Sequence, residues 1–353
     1  MHIRSRAQIK HDSLSVKNIC NGNAEMKQSY VFLLIFAIVC LQACNPAPQS
    51  NTSKPPLRFV HNLWPGYFPI TIAKAKGFFK EQGVSVEIIF TEDQQPQIAA
   101  FYAGKYDGLA LPLGSIIIAS GNNPDIRVVY VIDDSVGGDA VVARSEIETI
   151  QDLKGKAIGA TLGGFGELFV ESMLQKAGLN RNDITLINTD SNHVPEWLAS
   201  NRIQAGQAWE PYVSRAIKDG GRMLFSSEQT PGLIIDTIMF RGAVLRERPE
   251  DVRAFIRACF QAVDYWEAHP EEVRTLLAQT LKIQPEEISL KGIKLLQVDD
   301  NWQAFDRDNP HSLYHNARRY AEFYIRTGSL GRMPDIDKLI DDSFLPPRVK
   351  TQP

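Results

Sequence analysis

Short apolar segments alternate with amphipathic segments along most of this chain, and this alternation restricts its fold more than any other feature. In the first set, strands are predicted at 57–63, 84–90, 108–111 and 126–133. Helices are predicted between them, at 69–80, 94–103 and 115–120. Strands that alternate with helices at this spacing predict βαβ units and a mainly parallel sheet.

The alternation then starts again in a second set. Strands are predicted at 140–143, 157–160, 185–188, 205–209 and 222–225, and helices at 149–153, 166–177, 195–200 and 211–218. A strand at 234–240 precedes a largely helical C-terminal part, in which 249–268 carries one apolar stripe. We therefore predict an α/β fold of two mainly parallel βα lobes joined by a two-strand hinge. Residues 57–138 and 237–345 would form lobe 1, and residues 139–236 lobe 2.

Residues 26–43 have the features of an export signal. An uncharged apolar stretch at 30–41 is too short to span a bilayer, which needs about 20 residues, but is typical of a signal peptide. The LQAC motif that follows resembles the lipobox of bacterial lipoproteins, so we expect Cys44 to be the acylated N-terminus of the mature protein. We expect residues 1–25 to be an upstream extension of the gene model.

Residues 44–56 are rich in Pro, Ser and Asn and predict a flexible tether. A lipid at Cys44 would hold the protein on a membrane, in the periplasm or at the cell surface. The whole chain has an ordinary globular composition, with 44% hydrophobic and 22% charged residues. Its net charge of −3 gives no sign of a nucleic-acid partner. The sequence has no CxxC or HExxH motif, so no metal site is expected.

Five segments, taken in order, carry a resemblance to a known family. They are VHNLWPGYFPITIAKAKGFFKEQGVSVE, IAAFYAGKYDGLAL, VGGDAVVA, TIQDLKGKAIGATLGG and AGQAWEPYV. Together they resemble the substrate-binding proteins of ABC importers in the nitrate/taurine/sulfonate (NitT/TauT) class, which are related to thiamine-pyrimidine-precursor binding proteins. The resemblance covers about residues 57–345.

This resemblance implies a bilobal type-II periplasmic binding protein fold, in which hinge closure traps a ligand between the lobes. It implies a monomeric solute-binding lipoprotein that delivers a small organic, or nitrogen- or sulfur-containing, ligand to the permease and ATPase subunits of an ABC importer. Two alternatives remain open. In the first, the protein is a receptor of the same fold that reports to a membrane sensor protein. In the second, it binds a thiamine-related pyrimidine precursor.

Candidate ligand-binding residues follow the predicted strands, because ligands of α/β sheets sit beyond the carboxyl ends of strands. Asn62, Trp64, Gly66 and Tyr67 follow the first strand, where two aromatic rings offer flat walls and the glycine lets backbone approach a ligand. The alternative is a turn whose aromatic rings only cap the core. Gly114 and Ser115 follow the third strand, and their hydroxyl and N–H groups suit an oxygen or anionic group of a ligand. The alternative is that these two residues form an ordinary helix cap.

The second lobe offers a glycine-rich loop and an aromatic strand end. Binding is expected through the backbone N–H groups of the loop and through Trp209, which would close over the ligand opposite Trp64. The alternatives are a structural turn, and a strand end whose Glu210 lies in the first turn of a helix. The candidates in this lobe are Thr161, Gly163, Gly164, Phe165, Trp209 and Glu210.

Several carboxylates also lie at predicted strand ends or crossovers, and they conflict with an anionic ligand. These acids are Asp133, Asp134, Asp139, Glu210 and Asp236, of which we take Asp134, Asp139, Glu210 and Asp236 as ligand-binding candidates. A buried carboxylate would repel nitrate or a sulfonate. If two of the acids line the cleft, an amine, an amidine or an aminopyrimidine is expected. The alternative is that the acids bond to local backbone or hinge groups.

Catalysis is not expected, and neither is a cofactor. The sequence has no nucleophile elbow, P-loop or HExxH motif. The related fungal pyrimidine synthase depends on a cysteine-rich motif and an active-site histidine. Here Cys259 stands alone in an apolar helix, where a buried core thiol is expected. His61 precedes the aromatic turn, where it either touches the cleft or has a structural role.

Overall fold

The computed structural model describes residues 54–123 and 125–348, and these residues form two β-sheets covered by helices. The predicted signal peptide, Cys44 and most of the tether lie outside the described residues. The strands are β1 (Leu57–His61), β2 (Val86–Phe90), β3 (Gly108–Pro112), β4 (Ile126–Ser135), β5 (Asp139–Ala143), β6 (Ala157–Ala160), β7 (Thr185–Asn188), β8 (Ala205–Trp209), β9 (Arg222–Ser226), β10 (Ile235–Arg241) and β11 (Ile293–Leu295).

The first sheet has the order β11-β4-β10-β3-β1-β2, and the second has the order β7-β6-β8-β5-β9. Parallel pairs form between β1 and its neighbours and between β6 and its neighbours. Strand β10 is antiparallel to its neighbours β3 and β4, and strand β5 is antiparallel to its neighbours β8 and β9. The pairing is therefore mixed rather than mainly parallel, because a chain that leaves the first sheet along β4 and returns along β10 must run in opposite directions in these two strands.

Helices connect most of the strands, close to the predicted positions. They are α1 (Phe68–Lys76), α2 (Phe78–Glu81), α3 (Gln94–Tyr102), α4 (Leu113–Asn122), α5 (Phe165–Lys176), α6 (Val194–Ala199), α7 (Tyr212–Lys218), α8 (Gly242–Glu247), α9 (Pro249–Ala268), α10 (Pro270–Leu281), α11 (Val298–Ala304), α12 (Leu313–Thr327) and α13 (Ile336–Leu339). Pro249 and Pro270 each begin a helix, since their fixed φ and missing N–H suit the first turn.

The helix predicted at 69–80 is divided into α1 and α2. Gly77, which lies between them, has a φ of +84° and ends α1 in the left-handed conformation that glycine adopts without strain. Strand β11 was not predicted from the sequence, because three residues are too few to show an alternating pattern. The predicted helix at 149–153 is a 3₁₀ turn, Ile150–Leu153.

The chain passes between the two sheets twice, from β4 to β5 and from β9 back to β10. A serine pair joins these two crossings: the hydroxyls of Ser135 and Ser227 are 2.8 Å apart, and Gly137 N donates to Ser227 Oγ at 2.7 Å. Because β10 begins at Ile235, it starts two residues before the predicted lobe boundary at 236/237. The assignment of complete lobes to residue ranges remains a prediction.

The longest described helix, α9, packs its apolar stripe against the first sheet and its covering helices. Phe255 contacts Phe59 and Phe79, with ring centroids 4.7 and 5.1 Å apart, and Cys259 is fully buried on the same face. Burial of this stripe is the main term that holds the helix in place. In the described ranges, no helix combines the length and apolar character needed to cross a membrane.

Candidate functional site

A small cavity lies between the two sheets, at the strand ends that face each other. It has a volume of about 20 Å³, which is room for about one water molecule. Its lining residues are Asn62, Trp64, Tyr67, Pro112, Asp139, Phe165, Trp209 and Asp236. Seven of these eight residues are among the predicted ligand-binding residues, and Pro112 was not predicted.

The turn after β1 builds the first wall of the cavity. Asn62 Oδ1 accepts a hydrogen bond from Trp64 N at 3.0 Å, which fixes the turn. Trp64 is buried, and its indole Nε1 donates to both carboxyl oxygens of Asp133 at 3.1 Å. Tyr67 is also buried, and its hydroxyl donates to Asp236. The aromatic side chains therefore hold two carboxyl groups in addition to forming walls.

Gly66 has a different role from the predicted one. A Cβ atom at this position would lie 2.0 Å from Asp133 Oδ2 and 2.5 Å from Trp64 Nε1. The absence of a side chain therefore makes room for the Asp133 carboxyl rather than for a ligand.

The second wall comes from the end of β8. The ring of Trp209 meets that of Trp64 edge-on, with centroids 6.3 Å apart and planes at 89°. It also packs against Tyr212 at 4.7 Å. Within the sheet, Trp209 is paired in register with Asp139 of β5, so one antiparallel pair of strands delivers both an aromatic ring and a carboxyl group to the cavity.

Three buried carboxyl groups surround this cavity. Asp236 and Asp139 line it, and Asp133 lies opposite Asp236 in the register of β4 and β10. Burial raises the pKa of Asp236 to about 7, against the opposing effect of the Tyr67 hydrogen bond. Burial, and then the neighbouring charge of Asp236, raises the pKa of Asp133 and of Asp139 well above the usual range.

These three carboxyl groups have no basic partner in the part of the chain that the structure describes. No lysine, arginine or histidine nitrogen there lies within 4 Å of their oxygens. Asp139 Oδ1 accepts a long bond from Gln207 Nε2, at 3.5 Å, and Gln207 Oε1 has no partner among the same residues. The cavity is thus acidic and incompletely hydrogen-bonded.

Two of the predicted residues, Asp134 and Glu210, lie outside the aromatic cavity. Because successive strand residues face opposite sides, Asp134 points away from Asp133 and lines a separate cavity with Lys294. There burial raises the Asp134 pKa to about 6, while the Lys294 charge opposes the shift. Glu210 accepts bonds from Ser214 N (3.1 Å) and Ser214 Oγ (2.9 Å), so it caps the start of α7 and does not line the aromatic cavity.

The predicted binding loop of the second lobe is largely occupied by its own contacts. Leu162 N donates to Asn188 Oδ1 at 3.0 Å, and Gly163 N donates to Glu167 Oε1 at 3.1 Å. From the sequence, a ligand is expected to bind these two N–H groups, but both already have partners within the protein. Thr161 Oγ1 likewise donates to Thr189 O at 3.3 Å, and only Phe165 of this loop lines the cavity.

The start of α4 meets this loop across the gap between the sheets. Ser115 is buried, and a Cβ atom on Gly164 would lie 3.2 Å from its hydroxyl oxygen. A Cβ atom on Gly114 would lie 2.5 Å from the ring of Tyr320, so this glycine allows α12 to approach α4 closely. The two glycines serve packing between elements, and neither lines the cavity.

His61 is a structural residue behind the turn. It is fully buried, its Nδ1 donates to Asn62 O at 2.8 Å, and its Nε2 lies 3.2 Å from Thr71 Oγ1. Burial lowers the His61 pKa to about 4, so the ring is neutral at physiological pH. Of the two interpretations made from the sequence, the position favours the structural one.

Three residues at or behind the cavity were not among the predicted ligand contacts. Pro112 ends β3 directly before the predicted pair Gly114 and Ser115. Asp133 is separated from Val131 by a register shift in the pairing of β4 with β10, so alternation along the apolar run could not have placed its side chain. Gln207 is fully buried within the apolar run AGQAW, and only the presence of an amide in such a run could have marked it.

Comparison with known proteins agrees with this architecture. A family model described as NMT1/THI5 like matches residues 64–273, more than half of the chain. A putative aliphatic sulfonates-binding protein of Bacillus subtilis (strain 168) is 22% identical over 327 residues, which cover 91% of this chain and 96% of that protein.

Two further similar proteins differ in their named roles. The 4-amino-5-hydroxymethyl-2-methylpyrimidine phosphate synthase THI11 of Saccharomyces cerevisiae (strain ATCC 204508 / S288c) is 27% identical over 225 residues, which cover 58% of this chain and 65% of that protein. The periplasmic aliphatic sulphonate binding protein SsuA from Escherichia coli superposes with a TM-score of 0.69 at 16% identity, covering 84% of this chain and 94% of that one. At such identity the superposition establishes the fold, that of a periplasmic binding protein.

Proposed function

We infer the function from the premise that this chain belongs to the NMT1/THI5-like family. We propose that it is an extracytoplasmic solute-binding protein that traps a small organic ligand between two lobes and delivers it to the permease and ATPase subunits of an ABC importer. The observation that carries this proposal is the cavity between the sheets. Trp64 and Asp236 reach it from the first sheet, and Trp209 and Asp139 reach it from the second. A ligand that contacts all four ties the two sheets together.

The names of similar proteins support this role. The Bacillus subtilis protein is named for binding aliphatic sulfonates, and the Escherichia coli protein is described as a periplasmic binding protein. The first of these is matched over almost its entire length, so the similarity is not confined to one motif.

Ligand entry requires the lobes to separate, because about 20 Å³ cannot hold an organic molecule. The polar contacts that join the lobes at the rim are compatible with such opening. Arg215 pairs with Glu287 at 2.6 Å, and Arg326 pairs with Glu171 at 2.5 Å. Since the arginine of each pair is exposed to solvent, each pair contributes only about 1 kcal/mol and is easily broken. The two crossings at Ser135 and Ser227 would serve as the hinge.

We propose binding without catalysis, although the yeast protein is named as a synthase. Cys259 is fully buried in α9, and burial raises the pKa of its thiol well above the usual range. His61 is held by Asn62 and Thr71, and no histidine is among the residues that line the cavity. These positions offer neither a reactive thiolate nor an accessible base at the cavity.

A second candidate ligand class is a thiamine-related pyrimidine. The name of the yeast protein favours it, and the two carboxyl groups at the cavity could accept hydrogen bonds from an aminopyrimidine. The same screen that tests the main proposal tests this ligand.

We also propose that the protein acts as a monomer attached to a membrane through lipid at Cys44. The apolar stretch and the LQAC motif in the sequence support the anchor. An anchor would raise the local concentration of the protein near its membrane partner. Mass spectrometry of the protein after expression in a bacterial host with lipoprotein processing tests this point, since acylation changes the mass and a Cys44→Ser variant would not be acylated.

A thermal-shift screen of small solutes, followed by tryptophan fluorescence titration, tests the binding function. A true ligand raises the unfolding temperature further as its concentration rises above the dissociation constant. It also changes the fluorescence emission of Trp209. Trp209→Ala should weaken binding of the hit at least tenfold, because the ring forms a cavity wall. Trp197→Ala is the matched control, since Trp197 packs against Arg202, outside the cavity, and should leave affinity within about twofold. If no solute binds, or if both variants bind as the unaltered chain does, the proposed function is wrong.

A further inference from the structure

We propose that the cavity recognises a positively charged organic nitrogen group, an ammonium or an amidinium, held by Asp139 and Asp236 against the rings of Trp64 and Trp209. This inference rests on the proposed binding function and deepens it by naming the ligand class. It departs from the aliphatic sulfonates after which the Bacillus subtilis and Escherichia coli proteins are named.

The first support is the position of the two acids. Asp139 is 2% exposed and Asp236 is 1% exposed, yet both line the cavity. They come from opposite sheets, so the negative groups converge on one small space from both sides. Asp133, opposite Asp236 in the register of β4 and β10, adds a third acid directly behind the Trp64 ring.

The second support is that the protein leaves these acids short of donors. Two ionised carboxylates have about eight acceptor positions. In the described part of the chain, Asp236 accepts from the Tyr67 hydroxyl, and Asp139 accepts from Gln207 and lies beside the Ser135 hydroxyl. Buried carboxylates normally have charged or fully hydrogen-bonded partners. An ammonium brings three N–H donors and an amidinium brings four, so either would fill most of the remaining positions.

A third support comes from Asn62, which is not acidic. Its side chain is 6% exposed and lines the cavity, and its Oδ1 is used by Trp64 N. Its amide nitrogen Nδ2 is the donor group of this side chain. The cavity thus presents one donor beside the acids, which a ligand with an acceptor next to its charged nitrogen would satisfy.

The aromatic walls favour the same charge. The Trp64 and Trp209 rings stand at 89° and form a corner, and no lysine or arginine of the described ranges lies over either ring. Tryptophan faces attract cations, and the attraction grows when water is excluded. The ring faces and the carboxyl groups would therefore act on one cation together.

An anionic ligand would meet the opposite conditions. The start of α4 could in principle stabilise an anion, but Gly114 there lies against the ring of Tyr320. In the glycine-rich loop, the N–H groups of Leu162 and Gly163 are bonded to Asn188 and Glu167. A sulfonate in the cavity would instead face Asp139 and Asp236 without a basic side chain nearby.

Matched pairs of probes test the charge preference directly. The purified chain would be titrated, by differential scanning fluorimetry and isothermal calorimetry at pH 8, with benzamidinium, butylammonium and tetramethylammonium chlorides. The sodium salts of benzenesulfonate and butanesulfonate, and magnesium and calcium chlorides, are the counterparts at equal ionic strength. We expect saturable binding of at least one organic cation, and at least tenfold weaker binding of the sulfonate of the same skeleton.

Asparagine variants locate the binding. Asp139→Asn and Asp236→Asn should each weaken binding of the cation at least tenfold, and both should raise the unfolding temperature of the unliganded protein, because a buried negative charge is removed. The gain in stability shows that the loss of binding is not a loss of folding. Asp134→Asn is the matched control: it removes a carboxylate from the adjacent position in β4, outside the cavity, and should change affinity by less than about threefold.

The outcomes separate this inference from the proposed function. Saturable binding of a sulfonate that Trp209→Ala abolishes would overturn the cation inference and leave the binding function standing. Binding of magnesium or calcium alone would also overturn it, as would cation binding that survives in both Asp139→Asn and Asp236→Asn. Absence of binding by every cation and sulfonate tested overturns the inference, while the binding function is then decided by the wider solute screen.

Discussion

Two turns at the cavity, 62–67 after β1 and 161–165 after β6, have similar sequence features and different uses. Both follow a strand of a parallel pair, and both contain glycine and aromatic residues. In the first turn, Trp64 and Tyr67 hold the carboxyl groups of Asp133 and Asp236 at the cavity. In the second, polar groups are bonded within their own lobe, and Phe165 alone lines the cavity. The first turn carries polar recognition, and the second mainly completes the enclosure.

The comparison teaches that a glycine in a turn has to be interpreted with its neighbours. Gly66 has no room for a side chain because Asp133 occupies the space, whereas a Cβ atom on Gly164 would meet the Ser115 hydroxyl at 3.2 Å and Thr161 at 3.5 Å. The absence of a side chain at Gly66 leaves room for the acid cluster, and its absence at Gly164 allows the close contact with Ser115.

The largest expected effect is therefore at Gly66. Gly66→Ala should destabilise the protein by about 3 kcal/mol, because a Cβ atom 2.0 Å from Asp133 Oδ2 forces the turn or the carboxyl to move. Gly164→Ala should cost less than about 1 kcal/mol, since the new Cβ atom would lie 3.2 Å from the Ser115 hydroxyl, a far milder contact than the 2.0 Å one at Gly66. Urea denaturation of both variants measures the difference. Equal effects would show that the two turns are under the same steric restriction.

Tyr67→Phe should have the next largest effect. The change leaves the buried Asp236 carboxyl without its donor, which costs about 2 kcal/mol for a hydrogen bond to an ionised group. Denaturant titration at pH 8, where Asp236 is ionised, measures this loss. A loss below about 0.5 kcal/mol would indicate that the phenol does not support the acid in solution.

The pH dependence of stability tests the acid cluster itself. The raised pKa of Asp236, about 7, means that the folded protein retains a proton that the unfolded chain releases above pH 4. Between about pH 4 and pH 7, this group therefore lowers stability as pH rises, by up to about 1.4 kcal/mol for each pH unit.

His61 has the opposite effect over part of this range. Its pKa of about 4 in the folded protein lies below the unfolded value, so its contribution is present above pH 6.5 and is lost as pH falls towards 4. The Asp236 term is best isolated as the stability difference between Asp236→Asn and the unaltered chain. This difference should grow by about 1 kcal/mol from pH 6 to pH 7; a constant difference would contradict the raised pKa.

Thr161→Val should have the smallest effect. Its hydroxyl makes one bond, to Thr189 O at 3.3 Å, and its loss should cost less than about 1 kcal/mol. Ligand affinity should stay within about twofold, as measured by calorimetry on a hit from the solute screen. A tenfold loss of affinity would show that the second turn binds the ligand through polar contacts, as predicted from the sequence.

Much of the fold follows from local patterns. The strands of both sheets are predicted within two residues at most ends, because each is a short apolar run bounded by Gly, Pro or polar residues. Helix α9 is predicted at its exact bounds, since it has a proline at its start and a long apolar stripe. The antiparallel placement of β10 and β5 is not visible in any local pattern, because it depends on where the chain crosses between the sheets.

The site was predicted less evenly. Aromatic residues at strand ends indicated Trp64, Tyr67 and Trp209, and the structure brings all three together. The sequence places Asp133 and Asp134 side by side, and Asp134 is the one predicted from it as the ligand contact. The one-residue alternation of β4 places Asp133 beside Trp64 and Asp134 beside Lys294.

The sequence by itself determined which chemical groups stand at the ends of the strands: aromatic rings, carboxyl groups and glycines, at positions set by periodicity and by turn residues. Only the tertiary structure decided which of these groups share one space. Asp139 and Asp236 lie 97 positions apart in the chain and on different sheets. Their approach depends on the two crossings between the sheets, and a contact over that distance leaves no trace in local patterning.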